Sequence, residues 1–79
     1  MESTEILGRI ASLMKKVFEN ESIVITMDTT NKDVEEWDSL NYTAIISAIE
    51  KDFGIKFRMR EFLDFKNVGD IVKTVKEKI

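Results

Sequence analysis

The chain has 79 residues, 15 acidic and 12 basic, for a formal net charge of −3, and it contains no cysteine, histidine or proline. A chain this short buries only about 60% of its unfolded surface, which allows one modest core. Without thiols or imidazoles there are no disulfides, thiolate nucleophiles, zinc-thiolate sites or histidine-based triads, so the composition argues against a self-sufficient enzyme.

The first element is an amphipathic helix. Ile6, Ile10, Leu13, Met14 and Val17 fall on one stripe at a 3.6-residue period. Ser3 or Thr4 is the expected N-cap, Glu5 suits the positive end of the helix dipole, and fraying is expected near Phe18–Asn20. Residues 19–38 then read as a long ordered loop. Ile23, Val24 and Ile25 are strand-like, but no second strong strand exists to pair with them. Met27–Asn31 is turn chemistry, and Ile23, Ile25 and Val34 are expected against the core. Long ordered loops in small domains are often functional, and this one holds seven acids against one base, Lys32. It is not a calcium loop, because Lys32 stands at a ligand position and the required glycine is missing. No metal site is expected elsewhere.

The second helix is expected from Asp38 or Ser39 to Gly54, with Asp38 as cap and Gly54 as stop. Leu40, Ile45, Ile46, Ile49 and Phe53 form its predicted buried side, with Ala44 and Ala48 allowing close packing. Ile55–Arg60 alternates apolar and basic residues like a strand without a partner, and a helical turn over about Met59–Leu63 follows. The last helix begins near Asn67, with Val68, Ile71, Val72, Val75 and Ile79 on one stripe, and Lys73, Lys76 and Lys78 load its negative end. The expected fold is all-α: a small four-helix bundle of three long helices and one short one in a single domain, residues 1–79, with a long ordered loop between helices 1 and 2.

The longest apolar run, Ile23–Ile25, is three residues, far below the ~20 of a membrane helix. The acidic N-terminus does not read as a secretory signal, so a cytoplasmic location is expected, with no membrane insertion. Charge is unevenly distributed: residues 1–49 carry a net −5 and residues 50–79 a net +2. The bases are interspersed with acids, which does not make a nucleic-acid surface. Ser39 stands out by position. It follows an acidic loop and opens a helix, where free N–H groups and the dipole favour a phosphate ester on its hydroxyl. No base stands ready to activate it, so it reads as an acceptor of modification by another enzyme, or more plainly as a helix cap.

Three motifs in order carry a family resemblance. Trp37-Asp38-Ser39-Leu40, followed by a helix ending in Glu50-Lys51-Asp52-Phe53-Gly54, resembles the phosphopantetheine attachment region of acyl carrier proteins. Phe65-Lys66-Asn67-Val68-Gly69-Asp70-Ile71-Val72 resembles the start of that family's last helix, and Ile25-Thr26-Met27-Asp28-Thr29-Thr30 its early loop. The resemblance implies that a phosphopantetheinyl transferase, using Mg²⁺, moves 4′-phosphopantetheine from coenzyme A to Ser39. The arm's thiol then holds an acyl group as a thioester, supplying the sulfur that the chain lacks. The resemblance further implies a monomeric carrier that catalyses nothing and presents its cargo to acyl-transferring, ketosynthase or reductase enzymes. Asp38 would assist recognition or metal placement by the modifying enzyme, and Leu40 would anchor the helix start while contacting partners. Trp37, Asn41, Tyr42, Lys56, Arg58 and Arg60 are the expected docking residues, and Trp37, which stands where the family commonly has a small residue, either packs on the loop or touches the arm or a partner. Val34, Ile45, Ile46, Ile49, Phe57, Phe62 and Val72 are candidate acyl-pocket residues, or plain core.

Besides Trp37, the chain departs from the family at one surface. Fatty-acid carriers are usually acidic along the second helix, whereas Asn41, Tyr42, Thr43, Ala44 and Ser47 stand here, followed by Lys51, Lys56, Arg58 and Arg60. Charge complementarity selects partners, so a specialised pathway (polyketide, lipid-modifying or amino-acyl transfer) is expected rather than housekeeping fatty-acid synthesis. Two alternatives stay open on the sequence: a helical interaction domain without a prosthetic group, and a peptidyl or aryl carrier of a peptide synthetase. Trp37-Asp38 argues against the second, whose attachment site usually centres on Gly-Gly-x-Ser.

Overall fold

The computed structural model describes residues 1–79 and contains four helices and no strand: α1 (Ser3–Val17), α2 (Ser39–Phe53), α3 (Met59–Asp64) and α4 (Val68–Lys78). Helix α1 lies between α2 and α4 and packs on both. Its stripe buries Ile6, Ile10 and Met14 completely, against Ile45 and Ile49 of α2 and Val68, Ile71, Val72 and Val75 of α4. An ion pair of 2.8 Å between Arg9 and Asp52, with the Arg9 guanidinium 4.6 Å over the Phe53 ring, fastens α1 to the end of α2.

Helix α1 starts one residue earlier than the sequence reading, with Glu2 at the N-cap position. The Glu5 carboxylate reaches back to accept the Glu2 N–H at 3.4 Å, so the acid three residues into the helix fixes its start in place of a Ser3 or Thr4 cap. At the other end the helix stops at Val17 and the chain leaves through a hydrogen-bonded turn at Phe18–Asn20, where fraying is expected. The Asn20 N–H donates to the Lys15 carbonyl at 3.0 Å and the Glu19 N–H to the Lys16 carbonyl at 3.3 Å, with Glu19 in the left-handed region at φ 54°. This pattern ties off the last carbonyls, and buried Phe18 anchors the turn.

The long loop is held by its own side chains. Thr29 Oγ1 accepts the Thr26 N–H at 2.8 Å, the Asp33 carboxylate accepts the Thr30 N–H at 2.9 Å, and Asn20 donates to Glu36 at 2.8 Å. Ile23 and Ile25 are half-buried, Val34 and Trp37 are buried, and Val24 between the two isoleucines points outward. Two motifs far apart in the sequence meet here. The Val68 N–H donates to the Thr29 carbonyl at 2.9 Å and the Gly69 N–H to the Met27 carbonyl at 2.7 Å, so the first turn of α4 docks on the loop. A Cβ at Gly69 would stand 2.9 Å from that Met27 oxygen. Gly69→Ala should therefore push the loop off α4 and destabilise by about 1–3 kcal/mol. By contrast, Gly8→Ala, where a Cβ meets nothing, should stabilise by up to about 1 kcal/mol. Thermal unfolding of the two variants checks this opposition of sign.

Asp38 caps α2, accepting the Asn41 N–H at 2.8 Å, and Gly54 ends it at φ 68°. Leu40 does not lie on the buried side of α2 that its apolar character suggests. It is 81% exposed, because it lies about 140° around the helix from Ile45 and about 180° from Ile49. Ala44 is likewise exposed, and Ala48 is half-buried. The alternating Ile55–Arg60 segment forms no strand. The Glu50 carboxylate accepts the Phe57 N–H at 2.7 Å, and the Glu61 carboxylate accepts the Arg58 N–H at 2.8 Å, so side chains satisfy the backbone there and start α3. Helix α3 ends at Asp64, one residue beyond the expected turn. Asn67 caps α4, accepting the Asp70 N–H at 2.9 Å.

Candidate functional site

Ser39 is the first residue of α2 and is exposed. Its hydroxyl makes no hydrogen bond within the protein; only its carbonyl is engaged, accepting from the Thr43 hydroxyl at 3.3 Å. The preceding Asp38 supplies the cap, so the Ser39 hydroxyl is free for chemistry without loss to the helix. As residues at the start of a helix, Ser39 and Leu40 have backbone N–H groups with no intrahelical acceptor, which favours negative charge beside the hydroxyl.

Beside Ser39 lies a groove of about 620 Å³ between the loop, α2 and the turn before α4. Trp37, Tyr42 and Phe65 give it an apolar floor, and Lys32 and Lys66 bring positive charge to its wall. Nothing in the sequence marks Phe65, Lys66 or the Thr30–Lys32 stretch as site residues. Phe65-Lys66 reads there as a helix approach, and nothing local shows that a loop some thirty residues earlier faces it.

An aromatic stack links α2 to α3. The Tyr42 ring lies 4.6 Å from Phe62 and 6.1 Å from Trp37, and its hydroxyl donates to the Phe62 carbonyl. Desolvation pushes the Tyr42 phenol up from 10.0 to about 12. The folded protein thus holds this proton more tightly than the unfolded chain does. The resulting stability is fully present below about pH 10 and is lost as pH rises from about 10 to about 12. The contribution is about 1 kcal/mol, since part of the ring remains solvated. Tyr42 is the chain's one tyrosine, so the near-ultraviolet absorbance of tyrosinate reports it alone. A midpoint near 12 that falls to the usual value in denaturant is expected, and an unshifted midpoint in the folded protein would contradict the burial. Tyr42→Phe should remove the extra loss of stability in this pH window.

The other expected site residues divide by position. Trp37 is 7% exposed and packs into the core with one edge on the groove, rather than standing out from the surface. Asn41 is half-buried and spends its side-chain amide on the Glu36 carbonyl at 2.8 Å. Lys56, Arg58 and Arg60 are exposed. Val34, Ile45, Ile46, Ile49 and Val72 are no more than 5% exposed and form closed core. Phe57 and Phe62 are half-buried at its edge, Phe57 against Phe65 at 5.3 Å. None of these seven lines the groove beside Ser39.

The architecture is a four-helix bundle with an exposed serine, its hydroxyl unengaged, at the start of the second helix and a groove beside it. The phosphopantetheine attachment site family model matches residues 6–75. An acyl carrier protein homolog of Mycoplasma genitalium is 32% identical over 96% of this chain and 90% of its own length. An acyl carrier protein of Borrelia garinii is 26% identical over 99% of this chain and 98% of its own. Among solved structures, a holo acyl carrier protein from Geobacter metallireducens superposes with a TM-score of 0.85 at 36% identity, covering 91% of this chain and 83% of that one. A putative acyl carrier protein from Mycobacterium tuberculosis, 24% identical, shares the fold with a TM-score of 0.82 over 91% of this chain and 96% of that one. The chain belongs to the acyl carrier protein family. It is a carrier rather than an enzyme, and 4′-phosphopantetheine is its prosthetic group. The site fits such a group: an unengaged hydroxyl, cations beside it for a phosphodiester, and an apolar floor of the kind a pantetheine chain can lie on.

Proposed function

We propose that Ser39 is the attachment residue and that the chain carries acyl groups for enzymes of a dedicated pathway. The observation that carries this reading is the exposed, unpartnered Ser39 hydroxyl at a helix start whose cap is supplied by its neighbour. When bound, the prosthetic group supplies a thiol on which acyl groups are held as thioesters. The chain's own residues do the rest. Asp38 holds the helix start rigid and offers a carboxylate to the modifying transferase. Lys32 and Lys66 stand on the groove wall, where they offset the phosphodiester's charge. Trp37, Tyr42 and Phe65 keep the groove floor apolar.

On this reading, residues 1–79 act as one domain and as a monomer in the cytoplasm; no helix is long and apolar enough to cross a membrane. A phosphopantetheinyl transferase and acyl-transferring, ketosynthase or reductase enzymes are its partners. Longer cargo would have to part Ile45, Ile49 and Val72, which are fully buried. Small helical domains open locally at modest cost, which makes that entry feasible. The departure from an acidic second helix supports a polyketide, lipid-modifying or amino-acyl pathway over housekeeping fatty-acid synthesis. Incubation with coenzyme A, Mg²⁺ and a broad-specificity transferase, followed by intact mass measurement, tests the attachment.

A further inference from the structure

The charge of the α2–α3 surface cannot be read by counting, because the structure disposes of its acids and bases unequally. Between Lys51 and Lys66 stand three acids: Asp52, Glu61 and Asp64. Asp52 is paired with Arg9 of α1 at 2.8 Å, and Glu61 with Lys78 of α4 at 3.0 Å. Glu61 is also held by the Arg58 N–H, which together with Lys78 keeps its carboxyl below the usual range. Just before this segment, Glu50 is spent on the Phe57 N–H. The five cations of the segment, Lys51, Lys56, Arg58, Arg60 and Lys66, form no ion pair at all. Cations from elsewhere thus pair with Asp52 and Glu61, and the local cations are left without an ion pair, Arg60 and Lys66 sharing a shallow groove with Asp64, Asp70 and Glu77.

Apolar side chains stand among these cations. Met59 and Leu63, one turn apart on α3, are 71% and 70% exposed, and Leu40 at the start of α2 is 81% exposed. Tyr42 ties α3 to the early part of α2, and Lys66 lies on the Ser39 groove, so the patch borders the site. Exposed apolar side chains rimmed by unpaired charge mark a docking surface, and the rim fixes the sign of the partner. Two apolar residues on a six-residue helix are too few to anchor in a lipid interface, whereas a pocket on a protein can enclose them.

We propose that the α2–α3 surface of this carrier docks a protein face that is acidic around an apolar pocket, the pocket taking Leu63 and Met59 and the acids meeting Arg58, Arg60 and Lys56. The interaction does not require the prosthetic arm, so Ser39→Ala protein is the test molecule and the outcome is independent of the attachment reading. The probes are two forms of one ketosynthase, one with a basic docking face and one with those basic residues changed to glutamate.

Binding to the acidic form is expected to be about tenfold tighter at low salt, mostly through the association rate, and the preference should fade toward about 0.5 M salt. R58E/R60E and K56E/R60E, each added to Ser39→Ala and checked for folding by circular dichroism, should each abolish the preference. Leu63→Ala should leave the association rate unchanged and speed dissociation. Equal binding to both forms, a preference for the basic form, or indifference to the charge reversals would overturn the proposal. So would tighter binding to vesicles containing phosphatidylserine than to the acidic ketosynthase.

Discussion

Ser39→Ala is expected to take up no phosphopantetheine under conditions in which the wild-type chain gains one such group, while the fold stays intact. Both halves follow from the same geometry. The hydroxyl is the reacting group, and no other side chain at the start of α2 combines a hydroxyl with exposure at the groove. It is also structurally idle, since Asp38 supplies the cap by accepting from Asn41 at 2.8 Å and the Ser39 hydroxyl bonds to nothing. Removing it should change stability by no more than about 0.5 kcal/mol, as for other surface substitutions away from caps and core. Intact mass and a denaturation curve, measured on the same preparation, separate the two effects. An unmodified wild-type chain, or a modified alanine variant, would refute the assignment. A variant that failed to fold would show that Ser39 has a structural role the geometry does not contain.

Ile10→Ala should be far more damaging to the fold. Ile10 is completely buried on the one helix that packs against both α2 and α4, so a cavity there sits where three helices meet. Truncations of this kind destabilise by about 2–5 kcal/mol. A chain of this length has about 4–12 kcal/mol in total. The variant should therefore lose a large share of its stability, with a lower urea midpoint and little change in slope. Leu40→Ala removes an equally large apolar side chain at a position 81% exposed, and should cost about 0.5 kcal/mol or less. Similar losses in the two variants would contradict the burial pattern.

The contrast between Ile10 and Leu40 also marks where sequence reading succeeds. Ile6, Ile10 and Met14 recur at helical spacing and are all buried. Leu40 is apolar and near the stripe, which suggests the buried side of α2, yet five positions along the helix from Ile45 turn it out to solvent. Likewise Ile55–Arg60 alternates as a strand would, but Glu50 and Glu61 take the backbone N–H groups that a neighbouring strand would have bonded. A period shows what a segment could pair with, and only the fold shows what it meets.

The local code by itself determined the four helices, the caps at Asp38 and Asn67, the stop at Gly54 and the prominence of Ser39. Each of these depends on a few neighbouring residues and on spacing along the chain, so each is legible in one dimension. The tertiary structure alone decided that Trp37 turns inward, that Thr30–Lys32 and Phe65-Lys66 become two walls of one groove, and that Gly69 sits under the Met27 carbonyl. It also decided the charge that α2 and α3 present. Asp52 and Glu61 find their cations on α1 and α4, and no count along the chain can show which acids are already paired. Ion pairs and grooves are relations across space between elements distant in sequence, and they exist only once the core has brought those elements together.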